Sequence, residues 1–324
     1  MSDFIAIGET TIDVFIKLEN INVDPDHSKI CLPFATKVPY EFAVEVPAVG
    51  NASNAVVTAA RLGLNSALVA NIGNDANGEK CLEVLKAAGV STKYIGVQDD
   101  KKTNYHYVLW YENDRTILQK HSNFQYSLPN IGSPRWLYLT SLGENSIEFH
   151  TEIIEYLNDH FEIKLAFQPG IFQIKLGKEQ LKDIYQRTEI FFSNVEEAET
   201  ILGIETLGIQ GLIKRMHDLG PKIVVITDGP KGAYAYDGTE LWFQSPYPDP
   251  KPPYERTGAG DALASTTVAA LAFGLNLDIA LKWGMINAMS VIQEIGAQKG
   301  LLSRSQIEEY LKSAPLEFQT KKLN

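Results

Sequence analysis

Two cysteines in 324 residues, Cys31 and Cys81, are too few for a disulfide framework or a metal cluster. They read as reduced thiols of a cytoplasmic protein. No apolar run approaches the roughly 18 residues of a membrane-spanning helix. The first residues lack the basic and long apolar segments of a secretory signal. Basic tracts are missing too, and the net charge is -11. Nucleic acids and membranes are therefore not expected partners. There is no internal repeat and no low-complexity run. No Gly-x-Gly-x-x-Gly follows the first strand-like run, where Gly8-Glu9-Thr10-Thr11-Ile12-Asp13 stands instead. That mismatch sets a dinucleotide oxidoreductase aside.

What is present is a 44% hydrophobic chain, long enough for one large core. Short apolar runs at 4–7, 66–70, 136–139, 165–167, 190–192 and 223–227 read as buried strands. Helical spacing fills 53–62, 78–88, 147–157, 195–202 and 213–219 between them. The last third is mostly helical, at 259–273, 277–295 and 303–311. Such alternation predicts an α/β fold, a mostly parallel central sheet with helices on both faces.

Two stretches break the alternation. Residues 13–49 hold strand-like pieces at 14–17, 30–34 and 42–46. Residues 103–119 read as a hairpin, 105–111 and 115–119, turning at Glu112-Asn113-Asp114. Together they predict a small second sheet. It either closes over a site as a lid or pairs with another copy. A solvent-facing insertion is the plainer alternative.

The most informative stretch is Thr257-Gly258-Ala259-Gly260-Asp261, followed directly by an apolar helical run. A helix start offers free N–H groups and a positive dipole end, and glycine lets a phosphate come close. A carboxylate there can take a proton from a hydroxyl, which suits phosphoryl transfer. The dipole alone also favours Asp in a first turn. Gly50, Asn51 and Asn54 stand at another helix start. Asn194 to Glu197 follows a strand, where they form either a capping box or a hold on a metal's water shell. Thr227 to Gly232 follows the next, as a plain hairpin or a nucleotide contact.

In order and spacing, these segments resemble the ribokinase-like (PfkB) family of carbohydrate kinases over essentially the whole chain. Thr257–Asp261 is similar to its C-terminal signature, and the Gly50–Asn54 segment is a looser match. Gly73 to Gly78, Arg115 to Ile117, Asn194 with Glu197, and Thr227 with Gly229 and Gly232 resemble further motifs. The resemblance implies a three-layer α/β/α kinase domain over residues 1–324, with lid segments at about 13–49 and 103–119. It implies ATP and Mg²⁺ as cofactors, and a sugar or nucleoside substrate. A homodimer joined through the lid is the partner it allows.

The resemblance also implies roles. Asp261 is the expected base, and the backbone of Gly258, Ala259 and Gly260 an anion hole. Asp13, Gly50 and Asn54 are expected on the acceptor, and Asn194 and Glu197 on magnesium, with Asn194 also at the nucleotide. Thr227, Gly229 and Gly232 are expected on the nucleotide, and Asn287 in the adenine pocket. Tyr105, Tyr107 and Phe34 either stack on a nucleobase or fill the small sheet.

Three departures stand out. Val49-Gly50 replaces the usual Gly-Gly, and Gln168-Pro169 the usual Asn-Pro or Asp-Pro. Glu255-Arg256-Thr257 replaces Asp-Thr-Thr, which puts activation by potassium in question. Arg256 is expected either at the phosphate or, slightly preferred, in solvent. A nucleoside kinase and a sugar or nucleotide sensor that has kept the fold are the alternatives.

Overall fold

The computed structural model describes residues 2–19, 21–24, 26, 29–112, 114–204 and 207–323. Asn113, in the expected turn, and residues 20, 25, 27 and 28 of the first expected lid segment lie outside them.

The chain opens with β1 (Phe4–Ile7), β2 (Thr11–Leu18), β3 (Asn22–Val23), β4 (Ile30–Cys31) and β5 (Tyr40–Val49). It continues through α1 (Asn51–Arg61), β6 (Ser66–Gly73), α2 (Ala76–Ala87), β7 (Ser91–Gln98), β8 (Asn104–Tyr111) and β9 (Asp114–Leu118). Then come β10 (Trp136–Leu139), α3 (Ile147–Asp159), β11 (Lys164–Phe167), α4 (Ile171–Leu176), α5 (Lys182–Arg187) and β12 (Thr188–Asn194). Next are α6 (Val195–Leu202), α7 (Ile209–His217), β13 (Ile223–Thr227), β14 (Ala233–Tyr236) and β15 (Leu241–Gln244). The chain closes with α8 (Ala259–Ala272), α9 (Leu277–Val291), α10 (Arg304–Lys312) and β16 (Lys321–Leu323).

Ten strands make the main sheet, in the order β16-β15-β14-β13-β12-β11-β10-β1-β6-β7. The stretch from β13 to β7 is parallel, and β14, β15 and β16 add on antiparallel. All four residues of β1 are fully buried, as a strand covered on both faces must be. Phe4 and Ala6 pack toward α1, α2, α8, α9 and α10, whereas Ile5 and Ile7 pack toward α3, α5, α6 and α7. That alternation gives three layers, helices–sheet–helices. Because β1 and β10 to β13 are parallel, their C-terminal ends share one edge, where such sheets bind ligands.

The small sheet has the order β5-β2-β8-β9. It departs from expectation at residues 30–34: only Ile30–Cys31 forms a strand, in a separate ladder with Asn22–Val23. Its inner face is set by period-2 alternation along β8, where Asn104, His106, Val108 and Trp110 are buried. Phe15 and Val46 rest on Gly296, and Trp110 meets Tyr254 edge-on at 5.0 Å, so this sheet is seated on the body. Tyr107 points outward and Phe34 is 97% exposed, whereas Tyr105 is half-buried against the main core on the face opposite His106. Tyr107 and Phe34 thus depart from both expectations, stacking and packing, whereas Tyr105 keeps the packing role and not the stacking one.

The short helix α4 is anchored through Gln173. Its Nε2 donates to the Thr140 carbonyl at 3.0 Å and lies 3.0 Å from His150 Nε2. His150 Nδ1, 2.6 Å from the Ser146 carbonyl, is the ring's donor, so the imidazole is neutral. Burial pushes its pKa from 6.5 down to about 4. A buried neutral histidine must charge as acid unfolds the protein, so its contribution is complete above pH 6.5 and lost as pH falls toward 4. About 3 kcal/mol of stability is expected to disappear over that window. Urea titrations at pH 7 and 4.5 check this: His150→Gln should flatten the difference, and an unchanged difference contradicts it.

Candidate active site

Helix α8 is apolar on nearly every side and runs between α1 and α9 inside the protein. Its N-cap, Gly258, has φ +83°, a left-handed conformation that glycine adopts freely. A Cβ there would come within 2.2 Å of Ala297 Cβ. The first intrahelical bond is Ala262 N to Gly258 O, 2.8 Å, so the preceding N–H groups have no helical partner. A Cβ on Gly260 would meet nothing within 4 Å. The start of α8 therefore presents donors and open space together, as an anion requires.

Asp261 sits in that first turn, partly buried. Asn54 Nδ2 donates to its Oδ2 at 2.8 Å, and Gln168 Nε2 to its Oδ1 at 3.2 Å. Gln168 is oriented in turn by the Tyr138 hydroxyl, which donates to its carbonyl oxygen. Asn54 Oδ1 accepts from Gln298 Nε2 at 3.0 Å. Asn54 was expected to face the acceptor; its amide instead spans Asp261 and Gln298. Burial pushes the Asp261 carboxyl above the ordinary range, while the two amides and the Arg115 charge pull it back and Asp13 adds to the rise. The result is a fixed carboxylate with both oxygens oriented and a proton affinity raised toward that of a working base.

The other expected residues line the same edge. Gly50, φ +100°, caps α1, and a Cβ on it would lie 3.2 Å from the Glu9 carbonyl. Asp13, on the inner face of β2, is near enough to Asp261 for its charge to register. Asn194 and Thr227 are register partners at the ends of β12 and β13. Asn194 and Glu197 form a reciprocal capping box: Asn194 Oδ1 accepts from Glu197 N at 2.7 Å, and Glu197 Oε2 from Asn194 N at 3.0 Å. Burial raises the Glu197 pKa, and Asp261 adds to it. Capping and metal orientation are thus compatible, because the capping box takes up only one Glu197 oxygen. Gly229 opens the turn to β14, and a Cβ there would meet nothing, whereas at Gly232 it would strike the Gln244 carbonyl at 2.4 Å. Gly232 shapes the turn; Gly229 leaves its surface clear.

Asn287 departs from expectation. It is fully buried, donates to Thr266 Oγ1 at 2.7 Å and accepts from Leu302 N at 2.8 Å. Its side chain ties α9 to α8 and presents no surface to a ligand. Arg256 is exposed, as the preferred reading has it, and its Nη1 lies 3.9 Å from Asp114 Oδ2 at the tip of the small sheet. Among the described residues no group of three or more His, Cys, Asp or Glu could hold a metal ion. No helix among them is long and apolar enough to cross a membrane.

Residues 1–304 match the model of the pfkB family carbohydrate kinases. The chain belongs to that family, and it is a phosphotransferase. It is similar to an ATP-dependent 6-phosphofructokinase of Thermoanaerobacterium thermosaccharolyticum, 24% identical over 76% of this chain and 80% of that one. A cytidine kinase of Thermococcus kodakarensis is 26% identical over 91% of this chain and 98% of the other. Among solved structures, an E. coli protein assigned as ribokinase II, in complex with ATP and Mg²⁺, superposes with a TM-score of 0.75. It is 18% identical and covers 97% of this chain and 100% of that one. The fold is that of the ribokinases.

Proposed function

We propose that this chain is a single kinase domain that transfers the γ-phosphoryl group of ATP, with Mg²⁺, to a hydroxyl of a sugar or nucleoside. One observation carries the reading: Asp261 is held by Asn54 and Gln168 at the open, donor-rich start of α8. Asp261 takes the hydroxyl proton as the oxygen attacks in line. The N–H groups of Gly258, Ala259 and Gly260 meet the charge that develops on the transferred group. The ATP and Mg²⁺ bound by the E. coli neighbour support the nucleotide and metal. Asn194 and Glu197 fit a magnesium ion held mainly by water and phosphate, because one Glu197 oxygen is outside the capping box. When bound, that ion neutralises phosphate charge. Thr227 and Gly229 border the nucleotide, and Asp13 and Gly50 the acceptor, beneath the small sheet as a lid. The aromatic case for a nucleobase is weakened because Tyr105 and Tyr107 lie on the face of β8 opposite His106.

Release of ADP across pentoses, hexoses and nucleosides, with ATP and Mg²⁺, tests this reading. Turnover with at least one acceptor supports it. Tight binding without turnover supports the sensor instead.

Glu255 gives a second expectation, for potassium. It is fully buried. Its Oε1 accepts from Thr257 N at 2.8 Å and Thr257 Oγ1 at 2.6 Å, while Oε2 has no partner among the described residues. A buried, half-satisfied carboxylate is costly, and a monovalent cation would compensate it. KCl should raise both the melting temperature and kcat relative to choline chloride, and Glu255→Gln should abolish both effects. Equal melting curves in the two salts contradict the assignment.

A further inference from the structure

A second polar cluster lies between the end of β1 and the inner face of the small sheet. Asp13 Oδ1 is 3.2 Å from His106 Nδ1, and Glu9 Oε2 is 2.9 Å from His121 Nδ1. The two imidazoles stand 5.0 Å apart, and Phe172 packs edge-on against His121 at 5.2 Å. Glu9, Asp13 and His106 are each no more than 8% exposed. His106 Nε2, both ring nitrogens of His121, Asp13 Oδ1 and Glu9 Oε1 nonetheless have no well-formed hydrogen bond among the described residues, although the Tyr126 hydroxyl faces Glu9. Buried polar atoms without partners are rare and costly. Five of them gather at and around Asp13, whose charge reaches Asp261. Local structure puts them there. Alternation along β8 turns His106 inward, and β1 ends at its ligand-binding edge just before Glu9.

The geometry points to Glu9, His106 and His121 as joining Asp13 in the acceptor pole of the site. That pole selects an uncharged, polyhydroxylated acceptor, a neutral sugar or the ribose of a nucleoside, over sugar phosphates and sugar acids. The inference rests on the kinase reading and sharpens it. A carboxylate only accepts hydrogen bonds, and its two oxygens can take two neighbouring hydroxyls. Each imidazole lies beside one carboxylate without a formed hydrogen bond to it, and its Nε2 offers a donor or acceptor to a ligand. Phe172 adds an apolar wall. An anionic acceptor would bring its charge against Glu9, Asp13 and Asp261, and like charges brought together reject a partner strongly. The positive charge of Arg115 is felt at Asp261, while its ion pair is with Asp114 at 3.8 Å.

The test uses the full chain with ATP and Mg²⁺. Kinetics and calorimetric binding are measured for D-ribose, D-fructose and cytidine, and for ribose 5-phosphate, fructose 6-phosphate and gluconate. The best uncharged compound should exceed every anionic one by about 100-fold or more in kcat/KM. Glu9→Gln should raise its KM about 10- to 100-fold while the KM for ATP stays within about twofold. His121→Asn should shift the same KM in the same direction, and it decides the matter if Glu9→Gln does not fold. An anionic compound turned over as well as the best neutral one overturns the inference. So does an unchanged KM in a Glu9→Gln protein of native melting temperature. If nothing is phosphorylated, the kinase reading fails, and calorimetry still decides this one. Neutral binding lost in Glu9→Gln supports it, and no binding by any uncharged compound overturns it.

Discussion

Asp261→Asn is expected to keep the fold and the affinity for ATP and to lose about 10²- to 10⁴-fold in kcat. The carboxamide has nearly the same shape but cannot accept the hydroxyl proton at working pH. Its new NH₂ group must also face the amide donor of Asn54 or of Gln168, where a carboxylate oxygen stood before. The pH profile carries the same information. A base works only when deprotonated, so wild-type kcat/KM falls as pH drops through the Asp261 pKa. Burial places that limb above the ordinary 3.8 of an aspartate. The variant should show a low rate without this limb. A variant within about tenfold of wild type would mean that another group takes the proton.

Gly258→Ala has the largest expected effect on stability. The position has φ +83°, and an added Cβ would lie 2.2 Å from Ala297 Cβ and 2.6 Å from Ala297 Cα. Neither side can yield without moving backbone. Strain and overpacking together should cost about 2–6 kcal/mol. Because Gly258 caps α8, the same shift displaces the N–H groups that would meet the phosphate, and turnover should fall with stability. Gly260→Ala separates the two effects. Its Cβ meets nothing within 4 Å, so stability should hold or rise by up to about 1 kcal/mol. Side chains tilt toward a helix's N-terminus, so that Cβ enters the anion space and kcat/KM should still drop. Chemical denaturation and steady-state kinetics on both variants check this. Equal stability losses at 258 and 260 would contradict it.

Most parallel strands of the main sheet and the start of α8 were legible because their signals are local. β1, β10 and β13 are continuous apolar runs bounded by polar residues or glycine, and Gly258-Ala259-Gly260 announces a helix start. β7, which mixes polar and half-buried residues, and the short β14–β15 hairpin carry no such run and were missed. Asn54 reaches Asp261 across 207 residues and Gln168 across 93, so no local pattern joins them. Gln168 was visible only as a departure after a strand, and its position at the sheet's C-terminal edge was the available clue. His106 was hidden for a different reason. The alternation along β8 is plain, but the sequence does not say which parity faces inward, and the neighbouring tyrosines drew attention to the wrong one.

The most direct measurement is ³¹P NMR of the full chain incubated with ATP, Mg²⁺ and a neutral sugar or nucleoside chosen from the ADP-release panel. A new phosphomonoester resonance should grow as the γ-phosphate of ATP declines and ADP appears, and it should be absent with Asp261→Asn. ATP consumed to inorganic phosphate alone, or an equal phosphoester signal from the variant, would contradict an acceptor activated by Asp261.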